Sequence, residues 1–168
     1  MGMVFEMERV KRIGAALAAQ GLFLCTAESC TGGLLGHTIT NLPGASVFYL
    51  GGQITYSDAA KQQWLQVPPE TLVQHGAVSQ QTVIAMANGI RTAFSHMASM
   101  QKLAGISISG IAGPSGGSAE KPVGTVWIGI SMPGYEDARR YHFSGQRAAI
   151  KRKSVRAALE LLYQSLSI

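Results

Sequence analysis

Charge is scarce in this sequence. Asp, Glu, Lys and Arg supply 14% of its 168 residues, against 46% apolar ones. That length and composition suit one domain, 1–168, with a full core, and leave no room for a second of ordinary size. Cysteine is scarcer still. Cys25 and Cys30 stand in the wrong spacing for a redox CxxC pair or a zinc knuckle. No disulfide scaffold follows, and a reducing cytosol suits the chain. His37, His75, His96 and His142 are scattered without metal-ligand spacing, so no metal is expected, nor any cofactor. Long apolar runs are missing too. Arg9-Val10-Lys11-Arg12 ahead of apolar residues imitates a signal segment, but Met7, Val10, Ile13 and Leu17 mark one helical face and Gln20-Gly21 breaks the run. Nothing is long enough to span a membrane. Internal repeats, low-complexity tracts and linkers are lacking as well.

Glycine, in contrast, is plentiful at 20 residues, and basic charge is concentrated late in the chain. Arg139, Arg140, Arg147, Lys151, Arg152, Lys153 and Arg156 make up half of the 14 basic residues. Such a cluster can meet an anionic ligand or nucleic acid, or can be the solvated face of a helix. The second reading is preferred. That helix lacks interleaved exposed aromatics and needs its other face for the core, so nucleic acid is not an expected partner.

Periodicity gives the elements. A first helix leads into an apolar strand, Gly21 to Cys25; a glycine turn then opens a second helix that Asn41-Leu42-Pro43-Gly44 closes. Tyr49 to Tyr56 reads as a strand, Ser57-Asp58 as a cap and Ala59 to Leu65 as a short helix. Pro68-Pro69 opens a short turn. Ser79 caps a long helix with Val83, Met86, Ile90, Phe94 and Met97 on one stripe. Leu103 to Ser109 and Val123 to Met132 are strands, the second apolar on both faces and expected to be central. Pro133-Gly134 turns into a strand around Arg139 to Phe143, and the last helix buries Val155, Leu159, Leu162 and Leu166. Helices and strands alternate at first, then strands follow each other directly. The pattern predicts a three-layer α/β/α domain with a mixed sheet.

Three segments could carry chemistry. In Thr26-Ala27-Glu28-Ser29-Cys30-Thr31-Gly32-Gly33, small hydroxyl residues and paired glycines at a strand-to-helix turn leave the first helix amides approachable. They form a pocket for a phosphate or an oxyanion beside two nucleophiles; equally, Ser29 or Thr31 caps the helix. Gly110 to Gly124 follows a strand, where open α/β sheets bind ligands. It matches neither the phosphate loop of ATPases nor the dinucleotide fingerprint. Its glycines either bring amides to a ribose or phosphate, or form a mobile hairpin-like loop. In Gly51-Gly52-Gln53-Ile54-Thr55-Tyr56-Ser57-Asp58-Ala59-Ala60-Lys61, Lys61 falls near the positive end of a helix. If also desolvated beside Tyr56, it has a lowered pKa and can act as a base toward a serine. Otherwise it is a surface lysine.

Together these segments resemble the CinA C-terminal domain family. The resemblance spans nearly the whole chain and rests on four ordered blocks: T-A-E-S-C-T-G-G, G-G-x-I-T-Y-S-x-x-x-K, H-G-A-V-S and S-G-I-A-G-P-x-G-G-x-x-x-K-P-V-G-T-V-W. Gln146 departs from it, since relatives usually carry an acidic residue before Arg147. The resemblance implies hydrolysis of the carboxamide of nicotinamide mononucleotide (NMN) to nicotinate mononucleotide and ammonia. It places the family's serine, tyrosine and lysine on Ser29, Tyr56 and Lys61. Amides from Cys30, Thr31, Gly32 and Gly33 are then expected to hold the oxyanion or phosphate. Gly110, Ile111, Ala112, Gly113, Pro114, Gly116, Gly117 and Arg147 are expected to hold ribose and phosphate. A homodimer or higher homo-oligomer is the implied assembly. Relatives often add an N-terminal domain resembling molybdopterin-binding proteins, with pyrophosphatase activity; that activity is expected to be absent here. A catalytically silent paralogue, binding a nucleotide or serving as a scaffold, is the competing reading.

Overall fold

The computed structural model describes residues 2–167. In chain order they form α1 (Gly2–Ala19), β1 (Phe23–Glu28), α2 (Leu34–Thr40), β2 (Tyr49–Ile54), α3 (Asp58–Leu65), α4 (Pro69–His75), α5 (Gln80–Ala93), β3 (Leu103–Gly110), β4 (Thr125–Met132), β5 (Tyr135–His142) and α6 (Arg147–Ser165). The sheet runs β2-β1-β3-β4-β5. β1 is parallel to both β2 and β3, whereas β4 and β5 continue antiparallel. The mixed sheet is therefore as expected. The central strand is not: β3 holds the middle and β4 lies one place toward the edge. Burial on both faces does not separate the middle strand from its neighbour, because β3 and β4 are both covered on either side.

Side-chain alternation divides the core in two. On one face Leu24, Ile106, Ile108 and Ile128 pack with Val10, Ile13 and Leu17 of α1, Leu35 and Ile39 of α2, and Val155, Leu159 and Leu162 of α6. On the other, Cys25, Ala27 and Leu103 pack with Leu65, Leu72, Met86 and Ile90. The result is helix layer, sheet, helix layer, each stripe burying its apolar face as its periodicity dictates. α5 lies unusually near the sheet because small residues sit beneath it. A Cβ on Gly105 would come within 2.2 Å of the Ala87 carbonyl, and one on Gly129 within 2.6 Å of the Val83 carbonyl. Ser107 fills the gap between and donates to the Val83 carbonyl at 2.6 Å.

Several local expectations shift. α5 ends at Ala93, which leaves Met97 beyond it and 55% exposed, and β4 begins at Thr125 rather than Val123. Thr26, Ala27 and Glu28 belong to β1 and not to the turn, and Pro68-Pro69 opens the helix α4. Proline suits the first turn of a helix, where its missing N–H has no partner to lose.

The register decides where function can sit. Glu28 is level with Ile54 of β2 and Ile108 of β3, so three parallel strands end at one rim. β5 ends opposite the start of β4, with Thr125 level with His142, which delivers α6 to the same rim. The segments after β1, β2 and β3, and the start of α6, are thereby gathered together. This is the carboxyl-end crevice where open α/β sheets bind ligands.

Candidate active site

Ser29 is the first residue beyond β1. Its amide continues the ladder to the Ile108 carbonyl at 2.9 Å, and its carbonyl accepts from the Gly32 amide at 3.1 Å. Gly32 and Gly33 have φ of +60° and +94°, which favours glycine at both turn positions. The turn thus fixes the Ser29 side chain at the rim.

The amides of the following helix are not free. Glu28, 2% exposed, accepts from Gly33 and Leu35 through Oε2, both at 3.0 Å, and from Gly36 through Oε1 at 2.8 Å. An internal carboxylate thus already occupies the positive end of α2. Of the four amides expected to meet an oxyanion, those of Gly32 and Gly33 are committed to protein acceptors. Among the described residues, those of Cys30 and Thr31 meet no acceptor on another residue. Thr31 is itself buried, with its hydroxyl unpaired.

Lys61 enters from the other helix layer. It is the fourth residue of α3, whose N-cap Ser57 accepts from the Ala60 amide at 3.1 Å. That cap aims the lysine inward. The side chain is 1% exposed, and Nζ lies 3.4 Å from Ser29 Oγ, 3.1 Å from the Thr55 carbonyl and 3.6 Å from Asp58 Oδ1. Burial lowers its pKa, while Asp58 chiefly, with Cys30 and Tyr56 after it, pushes back up. The direction is the expected one, but Tyr56 does not help it. Tyr56 is 62% exposed, and its hydroxyl lies 2.9 Å from Arg147 Nη2, with no bond to Ser29 or Lys61.

Cys30, next to Ser29, is 4% exposed, and burial pushes its thiol up to about 12. A thiol held neutral in that way is a poor nucleophile at physiological pH. Ser29, with an amine at hydrogen-bonding distance, has the activating neighbour that Cys30 lacks.

These groups face a cleft of about 240 Å³. Of the residues singled out from sequence, Ser29, Cys30, Tyr56, Lys61, Gly110, Ala112 and Arg147 line it. Thr31, Gly32, Gly33, Ile111, Gly113, Pro114, Gly116 and Gly117 do not. Ile111 extends the β3–β4 hairpin, donating to the Thr125 carbonyl at 2.8 Å and accepting from the Gly124 amide at 2.7 Å. The Gly113 carbonyl accepts from Arg147 Nη1 at 2.7 Å. Pro114, Gly116 and Gly117 lie exposed along the loop. The segment is a hairpin connection, pinned by Lys121 Nζ on the His75 carbonyl and Arg140 Nη2 on the Glu120 carbonyl, both at 2.8 Å.

Sequence reasoning missed Asp58, Ala77, Val78 and Ser109, which also line the cleft. An acid three residues before Lys61 on a helix was a legible signal for Asp58. Ala77 and Val78 sit in a block that carried the resemblance but received no role.

Comparison with known proteins agrees with this architecture. The model of the CinA C-terminal domain matches residues 6–166. The nicotinamide-nucleotide amidohydrolase PncC of Escherichia coli (strain K12) is 46% identical over 160 residues, covering 94% of this chain and 93% of that protein. The CinA-like protein of Syntrophotalea carbinolica is 47% identical over 92% of this chain. The chain spans about a third of such longer curated relatives, 36% in that case. A solved CinA superfamily protein from Klebsiella pneumoniae 700603 superposes with a TM-score of 0.87 at 40% identity, covering 96% of this chain and 98% of that one. By sequence and by architecture, the chain belongs to the CinA C-terminal domain family.

Proposed function

We propose that this cleft hydrolyses the carboxamide of NMN to nicotinate mononucleotide and ammonia. The observation that carries the reading is Lys61 Nζ, buried and 3.4 Å from Ser29 Oγ. A neutral amine there is a base for the serine. The substrate comes from the likeness to PncC of E. coli, which the chain matches over 93% of that enzyme's length.

In this mechanism Ser29 Oγ attacks the carboxamide carbon as its proton passes to Lys61 Nζ. The amides of Cys30 and Thr31 are the candidate donors to the oxyanion. The tetrahedral intermediate collapses by breaking the C–N bond, and the lysine ammonium gives its proton to the departing nitrogen, releasing ammonia. Water then attacks the acyl ester, Lys61 takes its proton, and returning that proton to Oγ frees nicotinate mononucleotide. Every step uses protein groups and water. Tyr56, held by Arg147, bounds the cleft and orients the substrate rather than relaying the serine proton.

Two free, buried thiols suit a reducing cytosol. The resemblance makes a homodimer or larger homo-oligomer the working assembly, which sedimentation would check. Ammonia release from NMN, with free nicotinamide and NAD as comparison substrates, tests the activity itself. Turnover of NMN above both is the expected result. A folded protein that binds nucleotide but releases no ammonia would instead be a silent paralogue.

A further inference from the structure

Asp58 is the one carboxylate among the described residues that line the cleft. It is the first residue of α3, where an acid suits the positive end of the helix. That placement accounts for an acid in the first turn, but not for the direction it takes. Oδ1 lies 3.6 Å from Lys61 Nζ, and Nζ lies 3.4 Å from Ser29 Oγ, which sets the carboxylate within about 7 Å of the nucleophile. The side chain is otherwise open to the cleft and to solvent, 57% exposed. Lys61 must be neutral to accept the serine proton, and Asp58 opposes this by holding a proton on the amine. A carboxylate here therefore works against acylation. Once Lys61 is neutral, it is also left without a counter-charge.

The substrate supplies one. N1 of NMN is quaternary, so its pyridine ring carries a positive charge, and that ring is bonded directly to the carboxamide that Ser29 attacks. A ring turned toward the start of α3 brings its charge and the carboxylate well inside the screening length of about 10 Å. Tyr56 adds a second wall. It stands two residues before Asp58, lines the same cleft and is 62% exposed. Arg147 Nη2 holds its hydroxyl at 2.9 Å, and Arg147 Nη1 holds the Gly113 carbonyl at 2.7 Å. The phenol is thus tied at its hydroxyl end while the ring stays open. An aromatic face beside a carboxylate suits a flat cation, which both attract.

We propose that Asp58, with the face of Tyr56, is the specificity determinant that selects a positively charged, N-substituted pyridinium carboxamide over a neutral aromatic one. This rests on the reading of the cleft as an NMN amidohydrolase site. Free nicotinamide is neutral at physiological pH and lacks the charge that Asp58 reads. The carboxylate that hinders the base thus guides the ring, and the two effects separate. Its hold on the Lys61 proton sets where the pH limb falls, whereas its attraction for the ring changes binding even when no lysine charge is present.

Calorimetry with NMN and with the 5′-phosphate of benzamide riboside tests this. The second ligand puts carbon where NMN has its charged nitrogen and keeps the carboxamide, ribose and phosphate. Both are measured on Lys61→Met and on Lys61→Met with Asp58→Asn, each confirmed folded by its melting curve. The methionine prevents turnover and takes the lysine's own charge out of the comparison. Asp58→Asn should weaken NMN binding about three- to fivefold, the range of a charge pair open to solvent, and change binding of the benzamide analogue by about twofold or less. The loss should shrink as salt is raised. A purely structural role at the start of α3 would move both ligands alike. Equal weakening of both, no weakening of NMN, or no detectable NMN binding to Lys61→Met would overturn the assignment. Ammonia assays on wild type run in parallel. If NMN is not hydrolysed while its binding depends on Asp58, the activity fails and the ring subsite stands. If NMN is hydrolysed and Asp58→Asn binds both ligands as before, the subsite fails and the activity stands.

Discussion

If Lys61 is the base, its environment should be visible in the pH dependence of kcat/KM. Only the neutral amine accepts the serine proton, so the rate should rise with pH along a limb set by Lys61. Burial lowers that pKa and Asp58 raises it, so the two effects can be separated by mutation. Asp58→Asn removes the opposing charge and keeps the side-chain shape. The limb should move to lower pH, with more active enzyme on its acidic side. The size of the effect follows from geometry. Coulomb's law at 3.6 Å gives roughly 1 kcal/mol in bulk water. Asp58 is 57% exposed, and pairs open to solvent deliver about that or less. The gain at a fixed acidic pH should therefore be at most about fivefold. Lys61→Arg keeps the charge but offers no neutral base in this range. It should lose roughly 10²–10⁴-fold in kcat/KM while still binding mononucleotide. Stopped-flow or coupled ammonia assays across pH 5–10 read both variants. An arginine variant with near-normal turnover would refute the base assignment, as would an Asp58→Asn limb displaced to higher pH.

The adjacent nucleophiles should separate cleanly: Ser29→Ala should abolish ammonia release and Cys30→Ala should retain most of it, the reverse pattern counting against Ser29. Glu28→Ala strips three helix amides of their acceptor in a buried site, and denaturant melts should show a loss of about 3 kcal/mol, or roughly 6–12 °C in Tm for a chain of this size. Lys61→Met should raise stability at neutral pH even as it kills activity. The lysine binds its proton more weakly folded than unfolded, so its burden on stability is full below its folded pKa and fades as pH rises toward the unfolded value. The stability difference between Lys61→Met and wild type should therefore shrink from pH 7 to pH 10, and a constant gap would contradict the burial argument.

Much of this molecule was legible along the chain because the signals are local. Ser79 and Ser57 each accept from the amide three residues on, as cap chemistry requires. The apolar stripe of α6 is buried where its spacing put it, and successive β3, β4 and β5 pair as hairpin neighbours. What escaped the sequence depends on contacts across the chain. β3 becomes central because β1 pairs with it after an excursion through four helices and an edge strand, which no local pattern records. Glu28 reads as one polar residue among several, and its role appears only when β1 brings it under the end of α2. Tyr56 meets Arg147 from 91 residues away, so its place on the cleft wall, rather than in the Ser29–Lys61 pair, could not be read from its position before Lys61.

The two buried charges beside Ser29 show how the fold turns burial to opposite uses. Glu28 is 2% exposed, yet it accepts from the amides of Gly33, Leu35 and Gly36 at the end of α2. Protein donors replace the water that its carboxylate gives up. Lys61 is 1% exposed and meets the Thr55 carbonyl at 3.1 Å, Ser29 Oγ at 3.4 Å and Asp58 Oδ1 at 3.6 Å. These contacts do not offset the loss of water, and burial favours the neutral amine. Neither role follows from the residue itself. Ser29 lies between the two, at the end of a strand covered on both faces, so a helix end held by Glu28 shapes its turn from one layer while Lys61 arrives from α3 in the other. A single strand end can therefore keep one buried charge to hold its own turn and lower the cost of neutralising the other, which leaves an uncharged amine beside the nucleophile.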